Sequence, residues 1–367
     1  MKVGFDAKRA FANTSGLGNY SRTLVSALQK HYPEHTYVAF TPSKKTAPAS
    51  WQNVRTVTPT TLLGRAFPSL WRSVLVRGDI EKEHLNIYHG LSNELPRGLR
   101  KPPAQVVTIH DLIFMRFPSW YPAVDRKIYE KKFRHACNQA DPVVAVSSQT
   151  KEDLVQIFGI QPSRIRIVYQ SCGENFVKTL PEPAERFFPG RQLPEQFFLV
   201  VGTVEERKNL LVAVQALERI PGISLVVVGR KKKYFQQVQE FLVSQGLEKR
   251  VHFPEAVTNG ELATLYRKAV ALVYPSRFEG FGIPVIEALS IGTPVIAANT
   301  SALPEAGGPS SLYFDPDDAE ALAVHMQHLL DDRELRERMI NDGRRYALQF
   351  QPAKTAADLM NLYEQLV

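Results

Sequence analysis

Two carboxylates and two glycines lie close together in residues 276–288, which read Ser-Arg-Phe-Glu-Gly-Phe-Gly-Ile-Pro-Val-Ile-Glu-Ala. Glu279 precedes a predicted strand-to-helix turn, and Glu287 lies inside the predicted helix. Gly280 and Gly282 let the backbone approach a ligand with its N–H groups, and a helix start favours an anion. Carboxylates repel phosphate but accept hydrogen bonds from hydroxyl groups. The stretch therefore predicts a ligand with phosphate in its middle and hydroxyl-rich ends, such as a nucleotide-sugar. The alternative is that both glutamates are ordinary solvated charges near a helix end.

A second candidate site begins at Gly202-Thr203, where a predicted strand at residues 197–202 ends. Open α/β sheets bind ligands at the C-terminal ends of their strands. Arg207 offers a planar fork of donors and Lys208 a mobile point charge, and both suit a diphosphate. The alternative is an exposed basic loop that enters a helix.

The first half of the chain offers weaker candidates. Gly16 and Gly18 lie between a strand and a helix, where they fit either a tight turn or an approach to phosphate, because a lone G-x-G is not specific. His110 ends a continuous apolar strand, where either a site residue or a structural histidine is expected. No Walker loop, G-x-S-x-G elbow, H-E-x-x-H or clustered Cys and His is found, so no metal site is expected.

The elements around these residues alternate between strand and helix patterns, which predicts an α/β fold with parallel sheets. Strands are predicted at residues 2–6, 37–41, 54–58, 87–89, 105–110, 142–146 and 165–169, and then at 197–202, 224–229, 251–253, 270–274 and 294–298. Residues 178–195 contain four prolines and predict a linker. We therefore expect two open α/β domains, at residues 1–177 and 196–351, that face each other across a cleft. The pattern leaves open which domain the helix at residues 352–367 joins.

Composition is that of a soluble globular protein, with 44% hydrophobic and 22% charged residues. No apolar run is long enough for a transmembrane helix, no signal peptide is recognised, and Cys137 and Cys172 predict no disulfide framework, so a cytoplasmic location is expected.

The net charge of +8 is concentrated in residues 60–135, where 13 Lys and Arg face 7 Asp and Glu. Such a surface favours a polyanion, an anionic membrane or a phosphorylated acceptor, or is simply a soluble basic face. Tryptophan, tyrosine and arginine are interleaved here, which favours peripheral membrane contact over nucleic-acid binding. The residues in question are Phe67, Leu70, Trp71, Arg72, Leu75, Val76, Arg77, Arg116, Phe117, Trp120, Tyr121, Arg126, Lys127, Lys131, Lys132 and Arg134.

Taken together, the string E-G-F-G-I-P-V-I-E-A and the string G-T-V-E-E-R-K-N resemble the group 1 (family 4) glycosyltransferases of GT-B fold. The resemblance implies two Rossmann-like domains, retention at the sugar, no metal and no cofactor, with the donor held mainly by the second domain. It implies that Glu279 contacts the donor sugar and Glu287 the ribose hydroxyls. It implies that the backbone N–H groups of Phe281, Gly282 and Ile283 contact the phosphates and the sugar. It implies that Arg207 and Lys208 neutralise the diphosphate and that His110 contacts the donor sugar. Gly16 and Gly18 are implied to let the first domain close on the phosphates.

Two positions depart from the family pattern: Thr203 stands where many relatives have arginine, and Glu206 where proline is common. Because Thr203 replaces that arginine, either one cationic phosphate contact is lost or Arg277 supplies it. Local strings are most similar to mannosyltransferase-type members of O-antigen or capsule synthesis, which implies GDP-mannose as donor, with a UDP-sugar as the alternative, and a lipid-linked or glycan acceptor. A nucleotide-sugar epimerase and a non-catalytic sugar-nucleotide or glycan-binding protein are the other functions weighed.

Overall fold

The structure is a computed structural model that describes residues 1–12, 16–42, 46–101, 103–173 and 193–367. The chain divides into two compact units, Met1–Ser171 with Phe350–Val367, and Cys172–Gln349. Most of the predicted linker, residues 178–192, lies outside the described residues. Within the described ranges, no helix has both the length and the apolar content needed to cross a bilayer.

The first unit is built on a seven-stranded parallel sheet in the order β3-β2-β1-β4-β5-β6-β7. Its strands are β1 Lys2–Asp6, β2 Thr36–Phe40, β3 Val54–Val57, β4 Ile87–Gly90, β5 Ala104–Ile109, β6 Val143–Ala145 and β7 Ile165–Ile167. Its helices are α1 Lys8–Ala12, α2 Gly16–His31, α3 Leu62–Ala66, α4 Pro68–Leu70, α5 Val76–Lys82, α6 Ile113–Arg116, α7 Ala123–Gln139 and α8 Ser148–Phe158, with a π-helical turn at Trp71–Leu75 and single 3₁₀ turns at Pro118–Trp120 and Pro162–Arg164.

Two apolar cores cover the two faces of this sheet, as a parallel sheet requires. One core packs α2 and the last helix, α16 Pro352–Glu364, against β1 and β2, with Leu24, Leu359 and Tyr363 among its members. The other core packs the Trp71–Leu75 turn, α5 and α7 through Trp71, Ile80 and Phe133. The last helix therefore belongs to the first unit, the point that helical periodicity left open.

The second unit has a six-stranded parallel sheet in the order β10-β9-β8-β11-β12-β13. Its strands are β8 Phe197–Val201, β9 Ser224–Val228, β10 Val251–His252, β11 Leu272–Tyr274, β12 Val295–Ala298 and β13 Leu312–Phe314. Its helices are α9 Leu210–Glu218, α10 Phe235–Ser244, α11 Asn259–Lys268, α12 Ile283–Ile291, α13 Leu303–Gly307, α14 Ala319–Asp331 and α15 Arg333–Ala347, with a 3₁₀ turn at Glu206–Lys208 before α9.

Both sheets are doubly wound, which confirms the predicted α/β class. In the second unit the strand order reverses between β8 and β11, which are neighbours in the sheet but the first and fourth of its strands along the chain. Ligands of such sheets bind outside the carboxyl ends of the strands at the point of reversal. The sheet order therefore directs attention to the segments that follow Val201 and Tyr274.

Candidate active site

A pocket lies at the reversal point of the second unit. Its wall is formed by the ends of β8 and β11 and by the segment after β8, namely Val200, Val201, Gly202, Thr203, Val204, Lys208, Leu210, Val227, Tyr274, Pro275 and Ser276. Gly202 has a φ of +145°, which an L side chain rarely adopts, and a Cβ there would lie 3.4 Å from Cε of Lys208. Glycine at this position therefore lets the chain turn out of β8 with Lys208 packed against it.

Three charged side chains meet beside this pocket. Lys208 Nζ lies 2.5 Å and Arg207 Nη1 2.8 Å from Oε1 of Glu279. Lys208 also donates to the Tyr274 hydroxyl at 2.6 Å, and Arg207 donates to the carbonyl of Phe278 at 2.8 Å. The backbone N–H of Arg277 donates to the carbonyl of Arg207, so the two loops are also tied through the main chain. The structure therefore brings together the three residues that two separate sequence strings supplied.

The charge states of these groups follow from their burial and from one another. Burial alone would raise the pKa of Glu279, but Arg207 and Lys208 outweigh it and lower that pKa to about 2. Burial lowers the pKa of Lys208, against the opposing effect of Glu279. The pKa of Arg207 is raised, because Glu279 and Glu205 more than offset the effect of burial. At neutral pH Glu279 is a carboxylate, which accepts hydrogen bonds and donates none.

Glu287 lies in the middle of α12 and has a different environment. The Tyr266 hydroxyl donates to its Oε2 at 3.1 Å, and burial raises the pKa of Glu287 to about 7. The two glutamates of the sequence string thus differ in charge state at neutral pH. Arg207 and Lys208 keep Glu279 ionised, whereas burial brings the pKa of Glu287 close to neutral pH.

The segment from Glu279 to Glu287 is a glycine-containing turn followed by a helix, as predicted. Phe278, Glu279, Gly280 and Phe281 precede a helix that begins at Ile283 and ends before Gly292. Gly282 is the residue before the helix and has a φ of +128°, and its absent Cβ would lie 3.1 Å from Cδ2 of Leu303. Glycine is therefore required at this turn, where the first N–H groups of α12 have no partner inside the helix.

Sequence reasoning missed four residues that support the site. Tyr274 receives a hydrogen bond from Lys208, Tyr266 donates to Glu287, and Glu205 accepts from Arg207 at 3.0 Å and pairs with Lys232. Asn209, in the left-handed region at a φ of +54°, donates to the carbonyl of Pro316. The tyrosines occupy ordinary apolar positions in a strand and a helix, so no local pattern marks them.

Arg277, the residue that could replace the arginine missing at position 203, is engaged elsewhere in the same unit. Its Nη2 lies 2.6 Å from Oδ1 of Asp317 and 3.4 Å from Oδ1 of Asn209. Thr203 itself lines the pocket. In this structure the cations beside the pocket are therefore Lys208 and Arg207.

The remaining predicted residues, His110, Gly16 and Gly18, lie in the first unit. Gly16 and Gly18 are in the first turn of α2 and not in a loop before it. His110 is buried, and its Nε2 donates to the carbonyl of Leu91 at 2.9 Å while Nδ1 accepts from the Gln170 amide at 2.7 Å. Because both ring nitrogens are used and burial lowers the pKa to about 4, His110 is a neutral imidazole.

Comparisons with known proteins identify the family. The model of the group 1 glycosyl transferases matches residues 181–346, and the model of glycosyltransferase family 4 matches residues 14–171. The O-antigen chain mannosyltransferase B of Escherichia coli is 29% identical over 286 residues, which cover 76% of this chain and 74% of the relative. The D-inositol 3-phosphate glycosyltransferase of Corynebacterium efficiens is 32% identical over 315 residues, which cover 79% of this chain and 72% of the relative.

Solved structures agree in fold. Sucrose-phosphate synthase from Thermosynechococcus elongatus matches with a TM-score of 0.79 at 21% identity, covering 100% of this chain and 99% of that one. Anabaena HepE in complex with UDP and glucose matches with a TM-score of 0.75 at 17% identity, covering 100% of both chains. The predicted GT-B fold and the predicted resemblance are confirmed. The chain belongs to the group 1 (family 4) glycosyltransferases.

Proposed function

We propose that this glycosyltransferase moves a hexose, with mannose favoured, from a nucleoside-diphosphate sugar to a lipid-linked or glycan acceptor in cell-surface polysaccharide synthesis. Transfer proceeds with retention and without a metal ion or other cofactor, in the cytoplasm at the inner face of an anionic membrane. The observation that carries the proposal is the contact of Lys208 and Arg207 with Glu279 beside the pocket at the reversal point of the second sheet.

Lys208 and Arg207 suit the departing diphosphate. When the bond between the sugar C1 and the phosphate oxygen breaks, negative charge develops on that oxygen, and fixed cations in a poorly hydrated site stabilise it. Burial lowers the pKa of Lys208, and a diphosphate beside its ammonium group favours the charged form. The two side chains thus supply the electrostatic part of catalysis that a metal ion supplies in other transferases.

Glu279 acts as a carboxylate and not as an acid. With its pKa near 2 it holds no proton at neutral pH, so it accepts hydrogen bonds from sugar hydroxyls and stabilises positive charge that develops on the sugar ring. The acceptor oxygen forms the new bond to C1 on the face that the phosphate leaves, and the acceptor's proton goes to the departing phosphate oxygen. Glu287 and the backbone N–H groups of Phe281, Gly282 and Ile283 bind the ribose and the phosphates in this proposal.

The finer specificity rests on the relatives. The E. coli relative is described as an O-antigen chain mannosyltransferase, which supports mannose as the transferred sugar and a polysaccharide chain as the acceptor. The structure with bound UDP supports a UDP-sugar as the alternative donor, and the inositol-phosphate relative supports a small phosphorylated acceptor as the alternative acceptor.

The test is release of nucleoside diphosphate from GDP-mannose, UDP-glucose and UDP-galactose, with a polyprenyl-diphosphate-linked saccharide or inositol 3-phosphate as acceptor. We expect turnover with GDP-mannose that persists in a metal chelator and yields a product with the donor's anomeric configuration by NMR. Lys208→Ala should lower the rate by about a hundredfold or more, while Lys232→Ala, the exposed control on Glu205, should leave it within about threefold. Equal rates for the two variants refute the site, and turnover only with a UDP-sugar refutes the mannose assignment.

A further inference from the structure

Tyr274 is a buried tyrosine that contacts the ammonium group of Lys208 in the pocket of the second unit. It is the last residue of β11 and is 2% exposed. Lys208 Nζ donates to the Tyr274 hydroxyl at 2.6 Å and lies 4.8 Å from the centre of the Tyr274 ring. Both side chains line the pocket. Phenylalanine would fill this buried strand position with the same ring, so packing does not account for the hydroxyl.

The Lys208 side chain is held by three neighbours. It packs against Gly202, where a Cβ would lie 3.4 Å from its Cε, and its Nζ lies 2.5 Å from Oε1 of Glu279. An ammonium group has three N–H groups, and two of them donate to Glu279 and Tyr274. Within the described part of the chain no third acceptor contacts Nζ. One N–H group is therefore left for a ligand in the pocket.

The two acceptors of Lys208 differ in charge. Glu279 is a carboxylate, which attracts the ammonium group but also repels an anionic ligand. Tyr274 is a neutral hydroxyl, because burial and the nearby Glu279 raise the pKa of Tyr274 well above its ordinary value. It therefore accepts a hydrogen bond from Lys208 without adding a negative charge, whereas a second carboxylate at this position would repel a diphosphate.

We propose that Tyr274 is a positioning residue that holds the Lys208 ammonium group in place and keeps it charged for the diphosphate of a bound nucleotide. The inference rests on the proposed function, in which that diphosphate is part of the sugar donor. Tyr274 acts through Lys208, because its hydroxyl stabilises the charged form of the lysine by accepting an N–H group.

The charge of Lys208 depends on its surroundings. Four charged or titratable side chains surround it from the elements packed against it, namely Glu279, Arg207, Glu205 and Tyr274. Burial lowers the pKa of Lys208, against the opposing effect of Glu279. Loss of the Tyr274 hydroxyl should lower that pKa further, so the ammonium group should lose its proton at a lower pH.

The experiment is calorimetric titration of the full chain with GDP and with UDP between pH 7.5 and pH 10. In the unchanged protein the affinity should fall as Lys208 loses its proton. In Tyr274→Phe this fall should begin about one pH unit lower, because a hydrogen bond to a charged group is lost. The affinity of Tyr274→Phe at pH 9 should be about tenfold weaker than that of the unchanged protein, and the difference should narrow toward pH 7.5.

Two further variants separate this role from a merely structural one. Lys208→Met gives the part of the pH dependence that does not come from Lys208, including titration of the nucleobase. Lys208→Met combined with Tyr274→Phe should bind GDP and UDP as Lys208→Met does alone, because the hydroxyl acts only through the lysine. A further loss of affinity in the double variant would overturn the proposal.

The matched control is Tyr313→Phe on β13, which removes a hydroxyl that donates to the carbonyl of Gly308 at 2.6 Å. We expect this control to bind GDP and UDP as the unchanged protein does at every pH. Equal affinities of Tyr274→Phe and the unchanged protein across the pH range refute the role of Tyr274 and leave the proposed function standing. An unchanged protein that binds neither GDP nor UDP refutes both.

Discussion

Replacing Glu279 by glutamine tests the electrostatics of the candidate site directly. The change keeps the shape of the side chain and removes the charge that faces Lys208 and Arg207 at 2.5 and 2.8 Å. A pKa of about 2 in the folded chain against an ordinary value of 4.5 corresponds to about 3 kcal/mol of stability at neutral pH. We therefore expect Glu279→Gln to lower the free energy of unfolding by about 3 kcal/mol at pH 7.

The sign of the pH dependence follows from the depressed pKa. The stabilisation is fully present above pH 4.5 and is lost as the pH falls through the folded value near 2. The difference between the unchanged protein and Glu279→Gln should therefore narrow by about 1 kcal/mol between pH 7 and pH 4 in urea unfolding. Glu337→Gln is the control, because its partner Arg333 is mostly exposed and the loss should stay within about 1 kcal/mol.

A double variant measures the coupling free energy between Lys208 and Glu279. If Lys208 and Glu279 stabilise each other, Lys208→Met combined with Glu279→Gln should be more stable than the sum of the single changes by about 1–3 kcal/mol, because neither charge is then left buried without its partner. Glu279→Gln should also slow sugar transfer by about a hundredfold while nucleoside diphosphate binds at least as tightly, since a negative charge near the phosphates has been removed. Additive stabilities together with a weakened nucleotide affinity would refute this reasoning.

Three further predictions concern other parts of the two units. Burial raises the pKa of Glu287 to about 7, so this group lowers the stability of the fold as the pH rises from 4.5 toward 7. In urea unfolding, Glu287→Gln should therefore remove part of the fall in the free energy of unfolding over this pH range. The same pH profile in the variant and the unchanged protein would contradict the prediction. Tyr363→Phe removes the hydroxyl that lies 2.6 Å from Nδ1 of the buried His89, and we expect a loss of about 1–3 kcal/mol, with Tyr32→Phe, a partly buried tyrosine of the same unit, as a control that loses less. Gly282→Ala puts a Cβ 3.1 Å from Leu303 at a φ of +128°, and it should lower the free energy of unfolding by about 1–3 kcal/mol and weaken donor binding. Gly16→Ala is the control, because a Cβ there meets nothing within 4 Å and the fold should tolerate it. Equal melting temperatures of the two glycine variants would contradict the argument from backbone strain.

The regular parts of the fold follow from sequence because buried parallel strands leave a simple apolar signal. The predicted strand at 197–202 is Phe197–Val201 and the predicted strand at 54–58 is Val54–Val57. Strand β13, Leu312–Phe314, was not predicted, since it has only three residues, two of them partly exposed, and so short a run cannot be distinguished from a turn. The contact between α2 and the last helix is non-local, and helical periodicity carries no information about which core receives a helix.

For the candidate site, the sequence predicts those contacts that are local in the chain. Glu279, Gly282 and Glu287 lie within nine residues, and their order along a strand, turn and helix fixes their geometry. The tyrosines beneath them were missed because an apolar strand position such as Tyr274 looks the same whether or not its hydroxyl receives a hydrogen bond from Lys208. The helical conformation of Gly16 and Gly18 was also missed, because glycine at a helix start resembles glycine in a loop.

The two sheets share the same reversal of strand order, but their charged groups are arranged differently around it. In the first unit Arg72 lies 2.5 Å from Asp6 and 2.8 Å from Glu94, and Lys132 completes the pairing of Glu94, so two cations meet two carboxylates. In the second unit Arg207 and Lys208 contact Glu279, Arg207 also pairs with Glu205, and Lys208 lines a pocket. Arg72 is buried against its carboxylates, whereas a ligand in the pocket can reach Lys208. An anionic diphosphate gains more from the second arrangement, which is the physical reason to place the donor in the second unit.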